Sequence, residues 1–96
     1  MAFTLSQLRI FQAVVEHGSL RAAARALDLA QSGVTQQLQG LEATLGATLF
    51  TRTNRGIVPT AVGRRLLARS GSILGECEQV EREIRQLSGA YEGTVT

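Results

Sequence analysis

The chain has 96 residues, enough for one small domain, and 44% apolar against 19% charged side chains exclude a disordered tail. No apolar run approaches the ~20 residues of a membrane span, no basic flank leads an apolar stretch at the N-terminus, and a single cysteine, Cys77, excludes an internal disulfide, so a cytoplasmic address is expected. The net charge of +2 hides a division: residues 1–69 sum to +5 and residues 70–96 to −3, every cation being arginine, which suggests a basic head for a polyanion on an acidic stalk.

Thr4-Leu5-Ser6-Gln7 reads as a capping box, with Phe3 and Leu8 at the staple positions. Leu8, Phe11 and Val15 recur at helical spacing, Ile10 and Val14 widen the stripe, and His17-Gly18 closes the helix. His17 near the negative end of the helix dipole is structural in this reading, and with Cys77 far away in sequence it makes no metal site. Ser19 caps a second helix whose inner face is Leu20, Ala23, Ala24 and Leu27, small enough for another helix to approach closely. Asp28-Leu29-Ala30 breaks it. A third helix follows over about 31–45 with Val34, Leu38, Leu41 and Leu45 turned inward, and the three together outline a helix-turn-helix.

The outward face of the third helix carries most of the functional information. Residues 29–41 contain no charged side chain; the face offers Gln31, Ser32, Gly33, Thr35, Gln36, Gln39 and Gly40. A helix that meets only water usually carries Glu, Lys and Arg there, whereas amides and hydroxyls are what read base edges, and a glycine lets the backbone come close. Leu49–Arg52 and Ile57–Val58 are strand-like pieces joined by Thr53-Asn54-Arg55-Gly56, a hairpin turn. After a helix-turn-helix such a ribbon (about 49–58) is a wing, with Arg55 at its tip suited to a minor groove and Arg52 further back suited to a phosphate.

Pro59-Thr60 opens a long helix with Thr60 as its N-cap. From there Leu66, Ser70, Ile73, Cys77, Val80, Ile84 and Leu87 follow steps of 4 and 3, a heptad seam. A helix from Thr60 to Ser88 is about 43 Å long, more than a head of roughly 60 residues can cover. A second copy of the chain is expected on Leu66, Ile73, Cys77, Val80, Ile84 and Leu87.

The run from Leu8 to Gly63 resembles the N-terminal DNA-binding domain of the LysR-type transcriptional regulators. The resemblance rests on Leu8-x-x-Phe11, Gly18-Ser19, Ala23-Ala24-x-x-Leu27, Gln31, Val34, Leu41-Glu42, Leu45-Gly46, Leu49-Phe50-x-Arg52, Arg55-Gly56 and Thr60-x-x-Gly63. It implies a winged helix-turn-helix head over 1–59 and a linker helix over 60–88 that pairs antiparallel in a homodimer. Residues 89–96 would then be a hinge and the start of an effector-binding domain that the chain lacks. Carried over by position, contacts to bases or phosphates fall on Gln31, Ser32, Gly33, Thr35, Gln36, Arg52 and Arg55, with Ser19 and Arg21 near the backbone. No cofactor is expected in this fragment; a small-molecule effector belongs only to the missing domain, and a tetramer stays open for the intact protein. The sequence departs from the family at Ala30 (usually Ser or Thr), Ser32 (usually Pro) and Gln36 (usually Arg). These changes weaken the cap of the third helix, remove one cation and bear on which operator is read.

The expected fold is therefore all-α with a small β-hairpin. Two function classes follow from the residues. One is a homodimeric, sequence-specific binder of double-stranded DNA at an interrupted palindrome, with the recognition helix in the major groove and the wing in the minor groove. The other is a helical protein-interaction module that pairs through the 60–88 helix without touching DNA. An enzyme is disfavoured, because the sequence offers no nucleophile–base pair, no paired carboxylates and no phosphate-cradling glycine loop.

Overall fold

The computed structural model describes residues 2–95, with side chains through Gly89. Its elements run α1 (Leu5–His17), α2 (Leu20–Leu27), α3 (Gln31–Leu45), β1 (Phe50–Thr53), β2 (Gly56–Pro59) and α4 (Ala61–Val95). The molecule measures 58 × 25 × 20 Å, because α4 runs on beyond the head that α1–α3 and the hairpin form.

Local chemistry sets each boundary. The capping box forms in full: the Gln7 N–H donates to Thr4 Oγ1 at 3.0 Å and the Thr4 N–H to Gln7 Oε1 at 3.0 Å. Gly18 ends α1 at φ 66°, the left-handed conformation that costs glycine least. Ser19 then caps α2, its Oγ accepting from the Ala22 N–H at 3.2 Å. Asp28 ends α2 at φ 57°, the single non-glycine residue with positive φ among those described. Ala30 precedes α3 with extended backbone and no side-chain cap; neither Gln31 nor Ser32 substitutes for the missing hydroxyl.

The core gathers one face from each element. Phe11, Val14, Ala23, Val34, Leu41 and Leu49 are fully buried together, and the rings of Phe11 and Phe50 sit 5.3 Å apart at 49°. The apolar faces foreseen for α1, α2 and α3 turn toward the core, with Val15 and Leu27 partly buried at its margin and one residue outside it. Leu45, expected inside, is 38% exposed, because the last turn of α3 runs past the core before Gly46 stops it. The strands are offset from the expected pieces: Leu49 stays out of the ladder and enters the core, and β1 and β2 pair antiparallel with Phe50 opposite Pro59 and Thr53 opposite Gly56.

Two expectations for the long helix change. It does not stop at Ser88 but continues to Val95, through most of the segment read as a hinge and a first strand; Thr96 lies outside the described residues. Gly89 and Gly93 lower helix propensity without breaking the hydrogen-bond ladder, and no proline intervenes. The heptad seam also divides. Ser70 is fully buried and Leu74 nearly so, while Leu66 and Leu67 close over the head core, so the first turns of α4 are spent on their own chain. Ile73, Val80, Ile84 and Leu87 stay 37%, 52%, 58% and 67% exposed, and Val62, which the spacing analysis did not include, joins them at 53%. Cys77 lies half-buried between the two faces.

The missing cap on α3 is directly testable. Ala30→Ser places a hydroxyl where the backbone (φ −70°, ψ 142°) already has cap geometry. The substitution should stabilise the fold by about 1 kcal/mol, raising the thermal midpoint by roughly 4–8 °C in a calorimetric or circular dichroism melt.

Candidate nucleic-acid interface

The surface that matters is built where the starts of α2 and α3 face the hairpin. Ser19 does double duty: its Oγ caps α2, and with Arg21 it borders a cleft of about 260 Å³ closed by Gln31 from α3 and by Arg52 and Thr53 from the hairpin. A second cleft of about 180 Å³ lies on the other side of Arg52, between it and Thr35 and Gln39 of α3. Arg52 therefore stands between two hollows, with amide and hydroxyl groups on both sides. No glutamate or aspartate borders the first cleft.

Along α3, Gln31, Ser32, Gln36 and Gln39 are exposed and Thr35 is half-buried at the hairpin side. A Cβ added at Gly33 would meet nothing within 4 Å, so the glycine is not there to make room inside the protein. The hole it leaves opens outward. Gly33 is the third residue of α3, where glycine is a poorer helix former than alanine.

The hairpin is a wing tied by hydrogen bonds at its tip and its base. Asn54 and Arg55 form a two-residue turn closed by the pairing of Thr53 with Gly56. Thr53 Oγ1 accepts from the Arg55 N–H and donates to the Gly56 carbonyl, both at 3.2 Å, which fixes the backbone at the tip. A further bond anchors the wing to the head: the Ile57 N–H donates to the Gly18 carbonyl at 3.2 Å. Gly56 makes that contact feasible. It sits at φ 121°, and a Cβ there would fall 2.6 Å from the Gly18 oxygen. The tip that presents Arg55 is thus held by the turn between α1 and α2, the same turn that supplies Ser19.

Of the residues singled out from the sequence, the fold brings Ser19, Arg21, Gln31, Thr35 and Arg52 to these clefts. Ser32, Gly33 and Gln36 lie beside them on α3, and Arg55 stands exposed at the wing tip. Three polar bordering residues had been assigned no contact: Gln39, which the sequence places on the outward face of α3; Thr53, which had no signal apart from its place at the turn; and Glu42, whose carboxylate borders the second cleft while accepting from the Leu49 N–H.

The family model described as "Bacterial regulatory helix-turn-helix protein, lysR family" matches residues 5–64. HTH-type transcriptional regulator ClcR of Pseudomonas putida is 43% identical over 97 residues, covering 93% of this chain and 33% of that protein. Nitrogen assimilation regulatory protein nac of Escherichia coli is 37% identical over 90 residues, covering 94% and 30%. The chain thus spans about a third of the length of these curated relatives. Among solved structures, the CbnR DNA-binding domain in complex with DNA superposes with a TM-score of 0.83 at 37% identity, over 90% of this chain and 99% of that one. The BenM DNA-binding domain with catB site 1 DNA gives 0.86 at 31% identity, over 90% and 97%. With its helices, wing and sequence all matching, the chain belongs to the lysR family of bacterial regulatory helix-turn-helix proteins.

Proposed function

We propose that this chain is the DNA-binding portion of a transcriptional regulator and binds double-stranded DNA sequence-specifically as a homodimer. One observation carries the reading: an exposed helix face without charge, Gln31 to Gln39, lies beside a hydrogen-bonded arginine wing and arginine-lined clefts. Water alone gives no reason for such a face, whereas base edges in a major groove do. Gln31, Ser32, Thr35 and Gln36 then read bases, and Gly33 lets the helix backbone close on the duplex. Arg52, Arg21 and Ser19 meet phosphates, and Arg55 enters the minor groove. The relatives are transcriptional regulators, and two of the similar structures are complexes with DNA. A non-enzymatic role inside the bacterial cytoplasm fits this reading. No helix among the described residues is long and apolar enough to cross a membrane.

The stalk supports the dimer. Val62, Ile73, Val80, Ile84 and Leu87 form an exposed apolar stripe on α4 that the chain's own head does not cover. Arg64, Arg65 and Arg69 give residues 61–75 a charge of +3, whereas Glu76, Glu78, Glu81, Glu83 and Glu92 against Arg82 and Arg85 give residues 76–96 a charge of −3. Antiparallel pairing of two copies sets the positive portion of one against the negative portion of the other, while parallel pairing aligns like net charges. The alternative, pairing of α4 with a different protein and no DNA contact, leaves the uncharged face of α3 without a purpose.

The decisive measurement is fluorescence anisotropy on duplexes enriched from a random library. Saturable binding that weakens as salt rises is expected; an unenriched pool and a flat titration would refute the proposal. Arg55→Ala should weaken binding chiefly where the flanks are A·T-rich and lower the salt slope by about one unit per contact removed. Equal loss on G·C-rich flanks would assign it to phosphate alone. Gly33→Ala should raise the thermal midpoint, since helix propensity improves by about 1 kcal/mol, yet reduce affinity by crowding the duplex; stronger or unchanged binding would place that turn away from DNA. Ile84→Asp puts a charge into the stripe and should shift sedimentation from dimer to monomer, with the isolated head still folded.

A further inference from the structure

The connection between α3 and α4 is held by a knot of polar bonds centred on Leu49. The Leu49 side chain is fully buried. Its N–H donates to Glu42 Oε2 of α3 at 2.6 Å, and its carbonyl accepts from the Thr60 N–H at 2.9 Å. Thr60 Oγ1 donates to the Thr48 carbonyl at 2.7 Å and accepts from the Gly63 N–H at 3.0 Å, so one hydroxyl both caps α4 and grips the segment that leaves α3. Gly63 is buried where a Cβ would collide with the Leu49 carbonyl oxygen, which brings the first turn of α4 directly onto that backbone.

We propose that this knot is the positioning element that sets the angle between α3 and α4, and that Thr60 and Gly63 thereby determine which separation of two half-sites the dimer accepts. The inference rests on the DNA-binding dimer proposed above. Elsewhere α4 packs on α1 through Leu67, Ser70 and Leu74, with the exposed pair Arg9–Glu81 at 3.9 Å further along, and this contact holds α4 against α1. The bonds around Leu49 add the directional link that runs from α3 itself to the first turn of α4. The lever is long. A helix of 35 residues extends about 52 Å, so a tilt of about 5° at Thr60 displaces its far end by roughly 4.5 Å, more than the ~3.4 Å rise between successive base pairs. Neither Thr60 nor Gly63 is among the residues assigned to DNA, so a change there alters where the heads stand without altering what each head touches.

The test uses spin labels at Gln37→Cys on α3 and Gln79→Cys on α4 in a Cys77→Ala background, diluted with unlabelled protein so that only distances within one chain are read. The parent and Thr60→Ser, which keeps the hydroxyl, should give one narrow distance distribution. Thr60→Val, which keeps the shape and loses both hydroxyl bonds, should broaden or shift it, and Gly63→Ala should shift it by pushing α4 off Leu49. Circular dichroism confirms that each variant is folded. On duplexes carrying two copies of the half-site enriched from a random library, with the spacing changed in single base pairs, the parent and Thr60→Ser should prefer one spacing about tenfold or more. Thr60→Val should discriminate less than about threefold, with affinity for a single half-site unchanged. A Thr60→Val protein that keeps the parent's distance distribution or its spacing preference overturns the proposal. Absence of dipolar coupling between chains labelled at residue 37 alone would instead overturn the dimer on which it rests, a result separate from the distances within one chain.

Discussion

The burial of Leu49 with both of its backbone groups engaged is the constraint on which the surface depends. A residue at the mouth of a hairpin is ordinarily free to bond water. Here the side chain is withdrawn into the core, so its N–H and carbonyl need partners in the protein, and Glu42 and Thr60 supply them. One of those partners belongs to α3 and the other begins α4. The apolar centre of the head is thereby joined to α3 on one side and to α4 on the other. The wing lies between these points and gains a third attachment where Ile57 meets the Gly18 carbonyl.

That economy suits a head of this size. The core uses few large side chains, and Ala23 and Ala24 let α2 pack closely on its neighbours α1 and α3. Placement of the exposed groups is left to caps and backbone bonds: Thr4 and Gln7 for α1, Ser19 for α2, Thr53 for the wing and Thr60 for α4. The uncapped start of α3 stands apart from this pattern. Ala30 offers no hydroxyl to the first amide groups of α3, and this start lies beside the surface proposed to meet DNA.

The long helix shows how one sequence period can serve two purposes. Its first turns present Leu67, Ser70 and Leu74 to the head, and a neighbouring stripe from Val62 to Leu87 stays exposed. The two faces lie less than a third of a turn apart, and residues such as Leu66 and Cys77 fall between them. A small head therefore commits the start of its longest helix to its own stability and leaves the remainder to association, a division that single-core domains of this size require. The net charge divides along α4 in the same sense, positive nearest the head and negative further on, where the glutamates outnumber Arg82 and Arg85.

By itself the sequence determined the element order, the three helices of the head, the caps of α1 and α2, the existence of the wing and the uncharged outer face of α3. Each of these is a local matter: a capping residue and the amide it caps lie three apart, an apolar stripe repeats every turn, and a hairpin announces its own bend. The resemblance of the motifs added the family, which the comparisons then showed. What only the tertiary structure decided concerns contacts between residues distant in the chain. The heptad spacing could not tell that Ser70 and Leu74 face the head while Val62 joins the exposed stripe, because two stripes about 100° apart on one helix share the same period. Nor could it show Leu45 emerging from the core, Gly56 pressed against Gly18, or Thr60 and Glu42 meeting across Leu49, because the distance between such pairs is set by the packing of whole elements and no period in the sequence encodes it.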